Sequence, residues 1–278
     1  MRIVVLCSSI YSETACAVAV RLADLGYAPV GALSLSTLNR DTLLRKLSQW
    51  GVRQLAQYAR NKLAPGKHKH SRLQNPYLQP WLERRDNVFL NLRNIAKSYD
   101  FPIRILANQN SADAISRLKL WAPDLVVFTG GNILRKDILA LPRLGVLNLH
   151  LGLLPQVRGM SSPEWSLLSG VPVGITIHRM DQGIDTGPIL QKYEYPDLAL
   201  CQSLADLRCR LIAFGVDELG DVIAALDRGT IISTPQSELN RSHNSDNQYF
   251  VMHEWLQARA ATFLASHHEP AAAETVHG

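Results

Sequence analysis

The sequence predicts an α/β protein built on a mostly parallel open sheet with helices on both faces. Three observations carry this. Apolar runs of strand length recur along the chain, segments of helical periodicity separate them, and a hydrophobic content of 46% over 278 residues is enough for a sizeable core. Strand–helix alternation at this spacing implies parallel neighbours linked by crossover helices.

Residues 2–7 read as a buried first strand. Ser8, Ser9 and Ser12 precede an apolar-periodic helix that runs to Leu25 and stops at Gly26. A second strand is expected over 28–33. This βαβ opening lacks G-x-G-x-x-G, so nothing in it argues for a dinucleotide. Residues 42–62 carry helical spacing through Leu43, Leu44, Leu47, Trp50 and Leu55, and Pro65-Gly66 breaks it. Residues 64–85 read as an irregular loop. Asp86 is placed as the cap of a helix to about Ser98. Strands at 102–106, 124–129 and 146–150 then alternate with helices at 112–120 and 134–140. Alternating strands come next at 174–180 and 188–194. A capping pair, Ser203 and Asp206, opens a longer helix to Leu226, with a break expected near Gly215. Ile231-Ile232 is a brief strand candidate, and the tail after about Ala265 reads as disordered. There is no internal repeat.

The formal net charge of +5 is uneven. Arg40, Arg45, Lys46, Arg53, Arg60, Lys62, Lys67, Lys69 and Arg72 face a single acid, Asp41. Such a run is either a solvated helix face or a surface for phosphates, nucleic acid or anionic membrane. Cys7, Cys16, Cys201 and Cys209 show no C-x-x-C or zinc spacing, which points to reduced thiols in the cytoplasm and to no metal. No apolar run approaches a membrane span, and the opening Met1–Leu6 run is too short for a signal peptide.

The chemistry-bearing block runs from Val146 to Leu190. Asn148 and His150 are two apart on an apolar strand, so they project to one side. In an open parallel sheet, ligands bind beyond the carboxyl ends of strands. Alone, N-x-H reads more simply as a satisfied structural histidine. The forty residues downstream of it shift that balance. Leu153-Leu154-Pro155 leads to Arg158-Gly159, then to a helix with Ser162 as cap, Pro163 at its first position and Gly170 at its end. Gly174-Ile175-Thr176-Ile177-His178 precedes Asp181-Gln182-Gly183-Ile184-Asp185-Thr186-Gly187-Pro188, a tight loop able to hold Asp185 beside His150.

The ordered series N-x-H, L-L-P, R-G, G-x-T-x-H and D-x-G-x-D-x-G-P resembles the folate-dependent formyltransferases. That family includes enzymes acting on glycinamide ribonucleotide, methionyl-tRNA and sugar nucleotides. The resemblance is firm from about Trp121 to Leu190 and faint over residues 1–33. It implies a Rossmann-like catalytic domain over 1–230, with a divergent helical insertion at 35–100 and a C-terminal extension at 231–278. It also implies Asn148, His150 and Asp185 as catalytic residues, and N10-formyltetrahydrofolate as co-substrate with no metal. For the pterin it implies a pocket of Asn132, Ile133, Leu134, Ile138, Met180, Asp181, Gln182 and Gly183, though core packing explains the apolar three equally well. Ser8, Ser9, Pro155 and Arg158 would border the acceptor, with Arg158 serving a phosphate or only a surface salt bridge. His178 reads as structural support.

Preorganised donors from Asn148 and a protonated His150 would stabilise the formyl oxygen as negative charge builds on it. Asp185 would favour the imidazolium and accept the amine's proton. The missing glycines after strand one argue against glycinamide ribonucleotide. The expected acceptor is a small amine on a phosphate handle, such as an amino-sugar nucleotide, with methionyl-tRNA as the alternative partner. A formyltetrahydrofolate hydrolase and a non-catalytic folate-binding protein share enough of the pattern to stay open. The hydrolase normally carries a preceding domain, whereas this chain opens on the catalytic domain's first strand. The sequence leaves the oligomeric state open.

Overall fold

The computed structural model describes residues 1–36, 74–84, 87–88, 91–239 and 248–267. The basic run, the helix expected over 42–62 and Asp86 lie outside the described residues.

Strand β1 (Ile3–Cys7) is buried at every position. Ser12 accepts a hydrogen bond from the Ala15 amide and opens helix α1 (Glu13–Asp24), and Gly26 follows at φ +83°. Strand β2 (Gly31–Leu35) starts at Gly31 and not at residue 28. Pro29 has no N–H for the ladder. At Gly31 a Cβ would lie 2.7–2.8 Å from the Trp121 ring, so only glycine lets the strand pass this close.

The described part of the expected 64–85 loop is built structure. Asn75 caps a 3₁₀ turn at Pro76–Leu78, which leads into α2 (Gln79–Leu82), with Leu78 and Leu82 fully buried. A two-residue ladder joins β3 (Glu83–Arg84) to β4 (Asn87–Val88). The next helix, α3 (Leu92–Ser98), is capped by Asn91. Then come β5 (Ile103–Leu106), α4 (Ala112–Trp121), β6 (Leu125–Phe128), α5 (Lys136–Leu139), β7 (Val146–His150), β8 (Arg158–Gly159) and α6 (Ser162–Ser169). Helix α6 takes Ser161 as its N-cap in place of Ser162, and the Ser162 hydroxyl donates back to the Gly159 carbonyl at 2.9 Å. Strands β9 (Gly174–Arg179) and β10 (Ile189–Glu194) precede the long helix α7 (Leu204–Asp227).

Helix α7 runs unbroken through Gly215. There a Cβ would meet the Leu149 methyls at 2.5 and 2.7 Å, so the glycine serves helix–sheet approach and not a break. Ile231-Ile232 forms no strand; Thr234 makes an isolated bridge to Ile189 instead. The described residues 236–239 and 248–267 supply α8 (Gln236–Leu239), β11 (Gln248–Tyr249) and α9 (Glu254–Ser266).

Seven strands form one sheet in the order β10-β9-β7-β6-β1-β2-β5. From β5 to β7 every neighbouring pair is parallel; β9 and β10 add antiparallel to that edge. Val5, Val127 and Leu147 pack with α1 and α7 on one face. Val4, Leu6, Val126 and Val146 pack with Ala114, Leu118 and Ile138 on the other. The chain leaves β1 toward β2 on one side and reaches β6 on the other. This puts a topological switch point at the carboxyl ends of β1 and β6, where Ser8, Thr129 and Gly130 lie. Among the described residues no helix is long and apolar enough to cross a membrane.

Candidate active site

Asn148 and His150 leave β7 on one side. Antiparallel β9 sets His178 opposite Asn148 and Thr176 opposite His150. The Thr176 hydroxyl donates to the Gly152 carbonyl at 2.7 Å and accepts from the Leu154 amide at 3.0 Å, which folds the 152–157 loop over His150. Gly152 is required at that crossing, since a Cβ would sit 3.0 Å from His150 Nε2 and 2.9 Å from the Ser162 Cβ.

Asp185 reaches the same point from the β9–β10 loop. Asp181 Oδ1 accepts from the Gly183 amide at 3.0 Å and from the Thr186 hydroxyl at 2.6 Å, closing the loop's first half. Asp185 itself holds φ +53°, a left-handed conformation that side chains other than glycine adopt at a cost. Gly187 passes directly under Arg179, where a Cβ would collide with the Arg179 carbonyl oxygen. Asp185 Oδ2 accepts the Gly159 amide at 3.0 Å and lies 3.4 Å from His150 Nδ1. Its Oδ1 lies 3.6 Å from His178 Nε2. Asn148 Nδ2 is 3.1 Å from that same His178 nitrogen, and His178 Nδ1 is 2.9 Å from the Arg179 carbonyl. The carbonyl can only accept, so Nδ1 carries the proton and Nε2 accepts from the Asn148 amide.

Burial opposes charge on Asp185. The neighbouring His178 and His150 rings and the Gly159 N–H outweigh it, and the carboxyl is held below its ordinary range. His150, only 6% exposed, moves the other way from the sequence expectation. Burial dominates and lowers its pKa, against the Asp185 carboxylate and the Val157 carbonyl, which raise it, while His178 lowers it further. His150 Nε2 lies 2.8 Å from the Val157 carbonyl and so donates to it. A neutral ring then points the Nδ1 lone pair at the Asp185 carboxylate. A protonated His150 offering Nε2–H to a substrate is therefore not what this arrangement holds. It holds a neutral imidazole whose Nδ1 gains a hydrogen bond once a proton arrives.

The remaining residues expected in the site divide. Ile133 is 76% exposed, whereas Leu134 and Ile138 are sealed in the core behind it, so they support the wall and do not form its surface. Asn132 exchanges two hydrogen bonds with fully buried Gln109, at 2.9 and 3.1 Å. Met180 packs on the cluster containing Leu134, and Asp181, Gln182 and Gly183 are exposed. Pro155 is buried, Arg158 is half-buried on β8, and Ser8 and Ser9 follow β1 at the switch point. A cavity of about 270 Å³ lies alongside Asn148, walled by Thr14, Val18, Thr129, Leu151 and Ile212. A wider groove of about 520 Å³, lined by Arg93, Lys97 and Asp100, is separate and includes no catalytic candidate. Among the described residues no group of ligating side chains has the arrangement to hold a metal. Sequence reasoning missed Gly159 as the amide donor to Asp185, Gln109, and Gln236, which donates to the Asp185 and Gly187 carbonyls.

The formyl transferase family model matches residues 91–223, from α3 through most of α7. Over this segment, a little under half of its length, the chain is similar to the formyl transferase family. Methionyl-tRNA formyltransferase from Nitrosomonas europaea is 33% identical over 148 residues, covering 52% of this chain and 45% of that protein. The enzyme of the same name from Caulobacter is 36% identical over 145 residues, covering 51% and 46%. The chain thus matches under half the length of these relatives. Two solved structures share the fold. One is glycinamide ribonucleotide transformylase 1 from Symbiobacterium toebii, with TM-score 0.54, 19% identity, and 91% and 94% of the two chains covered. The second is a sugar N-formyltransferase from a Shewanella species, with TM-score 0.52, 17% identity, and 90% and 76% covered.

Proposed function

We propose that this chain moves a formyl group from N10-formyltetrahydrofolate to the amine of a small, phosphate-bearing acceptor in the cytoplasm. The observation that carries this is the meeting of Asn148, His150 and an ionised Asp185 at the carboxyl end of β7. Exposed apolar Ile133 and Ile184, on the two loops flanking that point, suit the flat ring of a folate. Backbone groups of Met180 to Gly183 would meet its polar edge. Folate supplies the activated formyl group; the chain supplies position and charge.

Asn148 uses one amide hydrogen on His178 and keeps a second to donate to the formyl oxygen as the amine attacks. Asp185 accepts the amine's proton, directly or through water. The proton rests on His150 Nδ1, where it turns the lone pair facing Asp185 Oδ2 into an N–H···O bond, and it returns through Asp185 or water to N10 of the folate as the bond between the formyl carbon and N10 breaks and tetrahydrofolate leaves. The Val157 carbonyl keeps the ring oriented meanwhile. The acceptor lies at the switch point beside Ser8 and Ser9, with Arg158 near its phosphate.

Methionyl-tRNA is the second reading, favoured by the relatives of that name. The test is tetrahydrofolate formation with N10-formyltetrahydrofolate alone, with amino-sugar nucleotides and with methionyl-tRNA. Amine-dependent turnover is expected. Equal turnover without amine would make the chain a hydrolase, and binding without turnover would make it a folate-binding protein.

A further inference from the structure

We infer that Gln236 is a positioning residue for Asp185, acting through the loop backbone from a segment that sequence patterning marks only as a C-terminal extension. Gln236 is the first residue of α8 and is 7% exposed. Both hydrogens of its side-chain amide are committed. Nε2 donates to the Asp185 carbonyl at 2.9 Å and to the Gly187 carbonyl at 2.8 Å. These two bonds grip the loop on either side of Thr186, where Asp185 holds its left-handed conformation. The amide's own approach is fixed by reciprocal backbone bonds between Thr234 and Ile189, at 2.9 and 2.7 Å.

The same segment returns to the carboxylate. Tyr249 of β11 pairs with Gly159 of β8, and its carbonyl accepts the Met160 amide at 3.0 Å. This holds Gly159, whose N–H reaches Asp185 Oδ2. Thr234 and Gln236 therefore fix the Asp185 backbone, and Tyr249 fixes the donor on its carboxylate. The two histidine contacts, at 3.4 and 3.6 Å, tolerate little displacement.

This inference rests on Asp185 being the proton acceptor, and its test separates the two claims. A plain tether would lower the melting temperature and nothing else. A positioning role also moves turnover and the protonation of Asp185. In the full chain, Gln236→Ala is expected to lower kcat about 10- to 100-fold, the scale of a misplaced reacting group. The KM for N10-formyltetrahydrofolate should stay within about twofold of wild type, as for a loss felt in the transition state. The Asp185 carboxyl titration, followed by NMR of a carbon-labelled side chain, should rise toward the ordinary aspartate value. Gln236→Glu should lose more, since a carboxylate would face two carbonyl oxygens. Gln236→Asn, with the amide withdrawn by one methylene, carries the comparison if the alanine variant does not fold.

A folded variant with an unmoved Asp185 titration overturns the inference, whatever its activity. So does a shifted titration with wild-type kcat. Near-wild-type turnover in Asp185→Asn would instead overturn the catalytic reading. The Gln236 titration would then still decide whether this amide sets the state of Asp185.

Discussion

Asp185→Asn isolates charge from shape. The amide keeps the side chain's volume, and its oxygen can still accept the Gly159 N–H, so the loop should survive. The loss is one negative charge 3.4 Å from His150 Nδ1 and 3.6 Å from His178 Nε2. At that first distance a full charge pair is worth about 5 kcal/mol at an effective dielectric of ~20. Burial offsets most of this, because His150 remains below its ordinary pKa despite the carboxylate. The loss in catalysis should be that of a removed general base, roughly 100- to 10,000-fold in kcat. That corresponds to about 3–5 kcal/mol of barrier. Tetrahydrofolate formation at saturating amine measures it. His150 supplies an independent check. Its pKa is lowered by burial and partly restored by Asp185, so removing the charge must move its NMR titration to still lower pH. Turnover within about fivefold of wild type, or an unmoved His150 titration, would refute the reasoning.

The same balance makes stability pH-dependent, and the variants around the site derive from their contacts. His150 has a depressed folded-state pKa, so its contribution is fully present above the unfolded value of about 6.5 and is lost as pH falls toward the folded value. Denaturant midpoints should decline as pH drops below about 6.5, and His150→Gln should flatten that part of the slope. Asp185, also depressed, adds a second loss only below about pH 3.9. Gly187→Ala forces its methyl onto the Arg179 carbonyl and should cost about 1–3 kcal/mol in chemical denaturation together with turnover. An unchanged denaturation midpoint would show that the loop is looser than this close approach implies. Arg208 donates twice, at 2.6 Å, to Glu164, which is 4% exposed. Arg208→Ala leaves that carboxylate buried and unpaired and should destabilise by about 3–5 kcal/mol, read from urea melts.

Local pattern carried the sheet and most of the site. Strand β7 is apolar except at Asn148 and His150, so their two-residue spacing sufficed to aim them together. The glycines and proline between β9 and β10 marked the tight loop that delivers Asp185. The features that escaped depend on contacts distant in sequence. His178 sits across from Asn148 only through antiparallel register, which its own strand does not encode. Gly215 resembles a helix breaker until Leu149 is seen packed against it. Around Pro76, proline and polar residues masked the apolar Tyr77, Leu78, Trp81 and Leu82. Gln236 belongs to no periodic pattern, and its function lies wholly in two carbonyls some fifty positions before it in the chain. The charge state of His150 is hidden from the sequence for the same reason. A neighbouring carboxylate can be inferred from spacing, but the near-complete burial that outweighs it cannot.

The most direct measurement traces an isotope-labelled formyl group from N10-formyltetrahydrofolate through a single turnover with a candidate amine. The label should appear in the formylated amine at the rate tetrahydrofolate forms. Asp185→Asn should slow both by the same factor. Label released as formate at a rate indifferent to the amine, or retained on the folate with every amine offered, would contradict the proposed transfer.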